Sequence, residues 1–141
     1  MSPYSRLAII SSATPQAREA EALLREQHEF VPLDSADAVI VLGGDGHMLQ
    51  VLHQLLEDRR DIPAYGMNRG TIGFLMNGWE SGELLNRLSR AKSFSVRPLS
   101  ATITTISGQT LTSPASNEVS LLRETRQAAK LEISAIGSPV L

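Results

Sequence analysis

Ala38–Gly46 reads AVIVLGGDG, and Met48–Leu56 follows it as MLQVLHQLL. The five residues Ala38–Leu42 are apolar without alternation and rich in β-branched side chains. That pattern predicts a strand covered on both faces, which usually means a parallel sheet. Gly43-Gly44-Asp45-Gly46 breaks the run. Helical spacing then resumes through Met48, Leu49, Leu52, Leu55 and Leu56. The same alternation extends in both directions. Leu7–Ser11 reads as a first strand. Thr14-Pro15 reads as a helix N-cap followed by proline at the first helical position. Ala17, Ala20, Leu23 and Leu24 then define the apolar face of a helix from Pro15 to about Gln27. Pro63–Met67 is a third short strand, Asn68–Asn77 a glycine-containing loop, and Glu80–Ala91 a helix with Leu84, Leu85 and Leu88 on one face. Strand and helix in turn predict an α/β fold.

The style changes after about Lys92. Phe94–Ile106 is rich in serine, threonine and β-branched residues, and Ser107-Gly108 sits where a hairpin turn belongs. Glu118–Leu122 and Leu131–Ile136 are further strand candidates, with a turn at Gly137-Ser138. No helix is predicted after Ala91. The expected organisation is a Rossmann-like, mostly parallel α/β domain over residues 1–92, then the start of an antiparallel β-rich domain over residues 93–141. That second region ends on the apolar Pro139-Val140-Leu141. Its strands are expected to need partners that this chain lacks. A short terminus tucked into the sheet is the alternative.

Composition narrows the function classes. The 141 residues suffice for one domain and are too few for two full ones. Thirteen basic and fifteen acidic residues give a formal charge of −2, so there is no electrostatic footprint for nucleic acid or an anionic membrane. No apolar run approaches the ~18 residues of a membrane span. Cysteine is absent, which removes disulfides, thiol nucleophiles and thiolate metal sites. The amino-terminal MSPYSRLAII lacks an export signature, and a cytoplasmic location is expected. His28 and His53 have no partner at ligand spacing, and no residue is expected to be a metal ligand.

Gly43–Gly46 carries the chemistry. Glycines let a phosphate approach the main chain, and the free N–H groups with the positive end of the next helix favour an anion. Asp45 among them would repel phosphate unless it accepts a proton or organises a metal. The same four residues also fit a tight βα turn in which Asp45 only caps the helix. The loop is neither G-x-x-x-x-G-K-[ST] nor G-x-G-x-x-G, so a Walker loop and a hydride-transfer Rossmann site have little support.

Three segments together resemble one family. VLGGDGHML (Val41–Leu49), YGMNRGTIGFL (Tyr65–Leu75) and SNEVSLLR (Ser116–Arg123) occur in the order and spacing of the NAD kinases. GGDG alone is shared with phosphofructokinases and GGDG lipid kinases; the other two segments favour NAD kinase. The resemblance implies ATP-dependent phosphorylation of the adenosine ribose 2′-hydroxyl of NAD, with Mg²⁺ or another divalent cation accompanying ATP. It implies that Asp45 is the general base, that Gly44 and Gly46 approach the nucleotide, that Phe74 lines the adenine side, and that Asn117 and Glu118 bind ribose and nicotinamide-side groups. NAD and ATP are the implied partners, and a homo-oligomer the implied full-length form. The family's later G-D-G and T-P-x-G-S-T-A-Y segment has no counterpart here, so this chain alone is expected to make little NADP. A noncatalytic nucleotide-binding module and a lipid kinase are the alternatives. His47 departs from the family's small hydroxyl or apolar residue and is expected to face solvent, with a phosphate contact from its imidazole as the alternative. Arg69 reads equally as a phosphate partner or an exposed loop residue, and Trp79 and Tyr65 read as packing residues. Arg123, Arg126 and Lys130 read as a solvated turn, with phosphate binding as the alternative.

Overall fold

A computed structural model describes residues 4–70 and 73–139. The expected end of the chain at Val140-Leu141, and Thr71-Ile72 within the glycine-containing loop, lie outside the described residues. Strands β1 (Leu7–Ser11), β2 (Ala38–Gly43) and β3 (Ala64–Asn68) form a parallel sheet in that order. Helices α1 (Pro15–Gln27), α2 (Asp45–Glu57) and α3 (Leu84–Arg90) pack on it.

β2 is central and all six of its residues are buried. Its side chains alternate between two apolar clusters. Ala38, Ile40 and Leu42 meet Ala17, Ala20 and Leu24 of α1 and Leu84 and Leu88 of α3. Val39 and Val41 meet Met48, Val51 and Leu55 of α2. The unbroken apolar run is therefore the consequence of helices on both faces. The strand order also has a topological consequence. β1-α1-β2 and β2-α2-β3 step the same way across the sheet, so two right-handed crossovers would leave α1 and α2 on one face. They lie on opposite faces, so one of the two connections has the rarer hand.

The local signals explain the element ends. Thr14 caps α1 through its hydroxyl, which accepts from the Ala17 amide at 3.3 Å, and Pro15 opens the helix. Glu21 of α1 ties the helix to Ser11 at the end of β1 and pairs with Arg25. Burial raises the Glu21 carboxyl, but the hydrogen bonds from Ser11 and Arg25 and the Arg25 charge outweigh it and hold its pKa below the ordinary value. This tie is complete above the unfolded carboxylate range and is lost as pH falls through the lowered pKa. α2 begins at Asp45, three residues before the expected Met48, because the Gly44 carbonyl accepts from the Met48 amide at 3.1 Å and closes a first turn through the glycines. α3 is shorter than the expected Glu80–Ala91. Glu83 takes a left-handed conformation (φ 55°), and the helix starts only at Leu84.

Antiparallel structure follows, as expected. β4 (Leu99–Thr104) and β5 (Thr110–Ala115) form a hairpin, with Gly108 at φ 83° in its turn. Glu118–Leu122 is not a strand; it is exposed and pairs with none of the described strands. The candidate Leu131–Ile136 shrinks to β6 (Ser134–Ala135), which pairs with β7 (Ser138–Pro139). The turn falls at Ile136-Gly137, where both φ angles are positive, rather than at Gly137-Ser138.

The buried sheet and the exposed hairpin should respond differently to truncation. Leu42→Ala should lower unfolding free energy by about 2–5 kcal/mol, the range for a buried leucine. Leu111→Ala, on a side chain 52% exposed, should change it by no more than about 0.5 kcal/mol. Urea unfolding of the two variants checks this, and equal losses would contradict the core described above.

Candidate active site

The carboxyl ends of β2 and β3 lie side by side and carry two loops. The Arg69 amide donates to the Gly43 carbonyl at 2.7 Å, holding the segment after β3 against the loop after β2. The Asn68 side-chain oxygen accepts from the Gly70 amide at 2.8 Å and turns the chain there. Gly66 lets the sheet accept close neighbours: a Cβ on it would stand 2.5 Å from both Met48 Cε and Met76 Sδ. A methyl group at that position would displace the ends of the Met48 and Met76 side chains and crowd the Leu75 carbonyl, 3.2 Å away.

Asp45 is the first residue of α2, so its charge sits at the positive end of the helix. Its carboxylate does not cap its own helix, as one reading of the loop had it. Instead Oδ2 accepts from the Phe74 amide at 2.7 Å and Oδ1 from the Leu75 amide at 3.0 Å. These are charge-assisted hydrogen bonds, and they join the GGDG segment to the G-F-L segment. Gly44 is the N-cap of α2, and Gly46 is the exposed residue of its first turn. A Cβ on either would meet no atom within 4 Å. Their lack of side chains therefore leaves open space outside the loop rather than making room for the protein itself.

The remaining expected site residues fare differently. The Phe74 ring is fully exposed, while its amide holds Asp45. Asn117 and Glu118 are exposed, and the Asn117 amide donates to the Glu118 carboxylate at 3.0 Å. Among the described residues no hydrogen bond joins either to Asp45. α2 does contact β5, whose last residues Pro114 and Ala115 are half-buried. His47 does not face solvent as expected. Its ring lies against Gly43, where a Cβ would stand 3.0 Å from the ring carbon Cδ2, and Nε2 is buried without a hydrogen-bond partner. Arg69 lies over the Trp79 ring, 4.9 Å from its centroid, and donates from Nε to the Gln16 carbonyl at 3.1 Å. With Thr14, Gln16, Asn68 and Gly70 it lines a cleft of about 600 Å³. Arg123 donates to the Gln127 carbonyl at 2.7 Å within its own exposed turn. Among the described residues no group of three His, Asp or Glu side chains is placed to hold a metal, and no helix is long and apolar enough to cross a membrane.

Gly73 and Leu75 were not singled out from the sequence, although both lie in the quoted G-F-L segment. Their importance depends on a contact with Asp45, 28 and 30 residues away, that spacing alone does not reveal. The chain is 51% identical over 138 residues to a protein of Zymomonas mobilis subsp. mobilis named NAD kinase, covering 98% of this chain and 54% of that one. It is 48% identical over 136 residues to an NAD kinase of Rhizorhabdus wittichii, covering 96% and 53%. It is 44% identical over 139 residues to an NAD kinase of Xanthomonas campestris pv. campestris, covering 97% and 53%. The chain thus spans about half the length of these relatives. The family described as ATP-NAD kinase N-terminal domain matches residues 6–90; through that domain, the chain belongs to the NAD kinase family.

Proposed function

We propose that this chain is the part of an NAD kinase that presents the acceptor hydroxyl of NAD to its general base, with transfer of the γ-phosphoryl group of ATP to the adenosine ribose 2′-hydroxyl. The observation that carries the reading is the Asp45 carboxylate, fixed at the mouth of a loop whose Gly44 and Gly46 leave open space around it. Asp45 takes the proton of the 2′-hydroxyl as its oxygen attacks the γ-phosphorus. The bond to the bridging oxygen breaks, and ADP leaves. A general base of this kind contributes about 10²–10⁴ in rate; in-line alignment and electrostatics supply much of the remainder.

Mg²⁺ fits as an ion carried in by the triphosphate. Such an ion keeps several waters and is held largely by the substrate phosphates, which leaves the Asp45 oxygens to the Phe74 and Leu75 amides and the acceptor hydroxyl. The open faces of Gly44 and Gly46 suit close approach of a nucleotide, and the free face of the Phe74 ring suits an adenine. Asn117 and Glu118 would reach the ribose and nicotinamide side of NAD. In this reading residues 1–92 are the nucleotide-binding unit and residues 93–141 belong to a β-rich unit. Exposed Leu111, Leu121, Leu122 and Leu131 there suit association with a second copy. A cytoplasmic location suits both substrates.

The direct test uses a polypeptide of full family length. Residues 1–141 replace the matching segment of the Zymomonas mobilis relative, and NADP formation is followed in a coupled assay. Asp45→Asn should cut turnover by roughly two to four orders of magnitude and leave NAD affinity within an order of magnitude. Undiminished turnover would remove Asp45 from the chemistry. In the same background Glu118→Ala should weaken NAD binding more than ATP binding by calorimetry; equal affinities for NAD in variant and parent would leave Glu118 without a binding role.

A further inference from the structure

A carboxylate on the exposed first turn of a helix ordinarily samples several rotamers. Asp45 is held in one by main-chain groups from a distant segment. Both of its oxygens are engaged, by the Phe74 and Leu75 amides at 2.7 and 3.0 Å. The residue just before those donors touches the same group. A Cβ on Gly73 would stand 2.3 Å from Asp45 Cγ, 2.3 Å from Oδ1 and 2.4 Å from Oδ2, inside any real carbon contact. The glycines near Asp45 thus divide by role. Gly44 and Gly46 would meet nothing if substituted, whereas Gly73 lacks a side chain where the Asp45 carboxylate lies.

We propose that Gly73, with the main-chain amides of Phe74 and Leu75, is the positioning device of the catalytic carboxylate. This rests on the reading of Asp45 as general base given above. The device is a two-pronged backbone clamp, and Gly73 is the residue that lets it close. An ionised carboxylate has about four acceptor sites. The clamp uses two, so each oxygen keeps one for a ribose hydroxyl. Because the donors are main-chain groups, the clamp has no side-chain rotamers of its own to order. Phe74 also links two tasks in one residue: its amide holds the base while its exposed ring is available to a nucleotide base. A substrate that docks on the ring therefore bears directly on the segment that aims the carboxylate.

The clamp predicts a specific response to Gly73→Ala. The atoms that an added methyl would overlap belong to the end of a flexible side chain, so the fold should survive while the carboxylate is displaced. Amide hydrogen exchange, followed by NMR on the 141-residue chain, reads this directly. In the parent protein the Phe74 and Leu75 amides should exchange on the order of tenfold or more slowly than in Gly73→Ala, as expected for hydrogen bonds to a charged acceptor. Asp45→Ala, which creates no overlap, should remove the same protection. Val39, Val41 and Met67 in the sheet should keep theirs in both variants. In the full-length fusion, Gly73→Ala should lower kcat by roughly 10- to 100-fold, the scale of a misplaced catalytic group, with KM for NAD nearly unchanged. It should add little once Asp45 is already Asn.

The proposal is overturned if Phe74 and Leu75 exchange equally in the parent and in Asp45→Ala, or if Gly73→Ala leaves kcat intact. Should Gly73→Ala unfold the sheet, the exchange rates in Asp45→Ala still decide. Failure of the clamp is separable from failure of the base. Protection lost in Asp45→Ala with full turnover in Asp45→Asn would keep the contact and refute the base; the reverse pair of results would refute the clamp alone.

Discussion

Burial of β2 on both faces is the constraint on which the α/β part depends. Every residue from Ala38 to Gly43 is shielded, and its side chains feed two separate clusters, one under α1 and α3 and one under α2. Backbone groups in such a strand must be paired, and β1 and β3 pair them on its two edges. The strand is thereby fixed in height and direction, and so is the point where it gives way to Gly44 and α2. Because α2 packs through Met48, Val51 and Leu55 onto the same strand, the first turn of the helix, which carries Asp45, is fixed as well.

The second loop is brought to the first by a chain of close contacts. Gly66 admits Met48 and Met76, the Arg69 amide reaches the Gly43 carbonyl, and the Phe74 and Leu75 amides reach Asp45. Two kinds of glycine serve this arrangement. Gly66 and Gly73 are small because protein atoms occupy the adjacent space, while Gly44 and Gly46 face open space. Only the second kind is what a phosphate or ribose requires. His47 belongs with the first kind, since its ring fills the room beside Gly43 and its buried Nε2 carries an unmet hydrogen bond.

The α/β half was largely legible because its signals are local or periodic. β1 and α1 begin and end where the apolar run, Thr14 and Pro15 said they would. α2 was read three residues late because glycines at 44 and 46 suggest loop, whereas the Gly44 carbonyl still supports a helical turn. α3 was read too long because Leu84, Leu85 and Leu88 carry the period but Glu83 breaks the backbone. Beyond Lys92 the signals weaken. Composition marked β structure and the hairpin turn, but Glu118–Leu122 has a strand's residues and pairs with no strand among the described residues, and β propensity is realised only through neighbours. Asp45 could be singled out as a lone carboxylate among glycines. Its partners could not, because main-chain donors leave no mark in a side-chain pattern. Gly73 was visible as a glycine of a family motif, and only the contact shows what its missing side chain leaves room for.

The central claim is that the clamped Asp45 carboxylate is the group that meets the ribose 2′-hydroxyl. A crystal structure of the chain soaked with NAD tests it most directly. The account predicts the 2′-oxygen within hydrogen-bond reach of an Asp45 oxygen, about 2.6–3.2 Å, with the Phe74 and Leu75 amides still donating to the same carboxylate. NAD bound with its adenosine ribose away from Asp45, or an Asp45 side chain turned away from Gly73 when the nucleotide is in place, would contradict it.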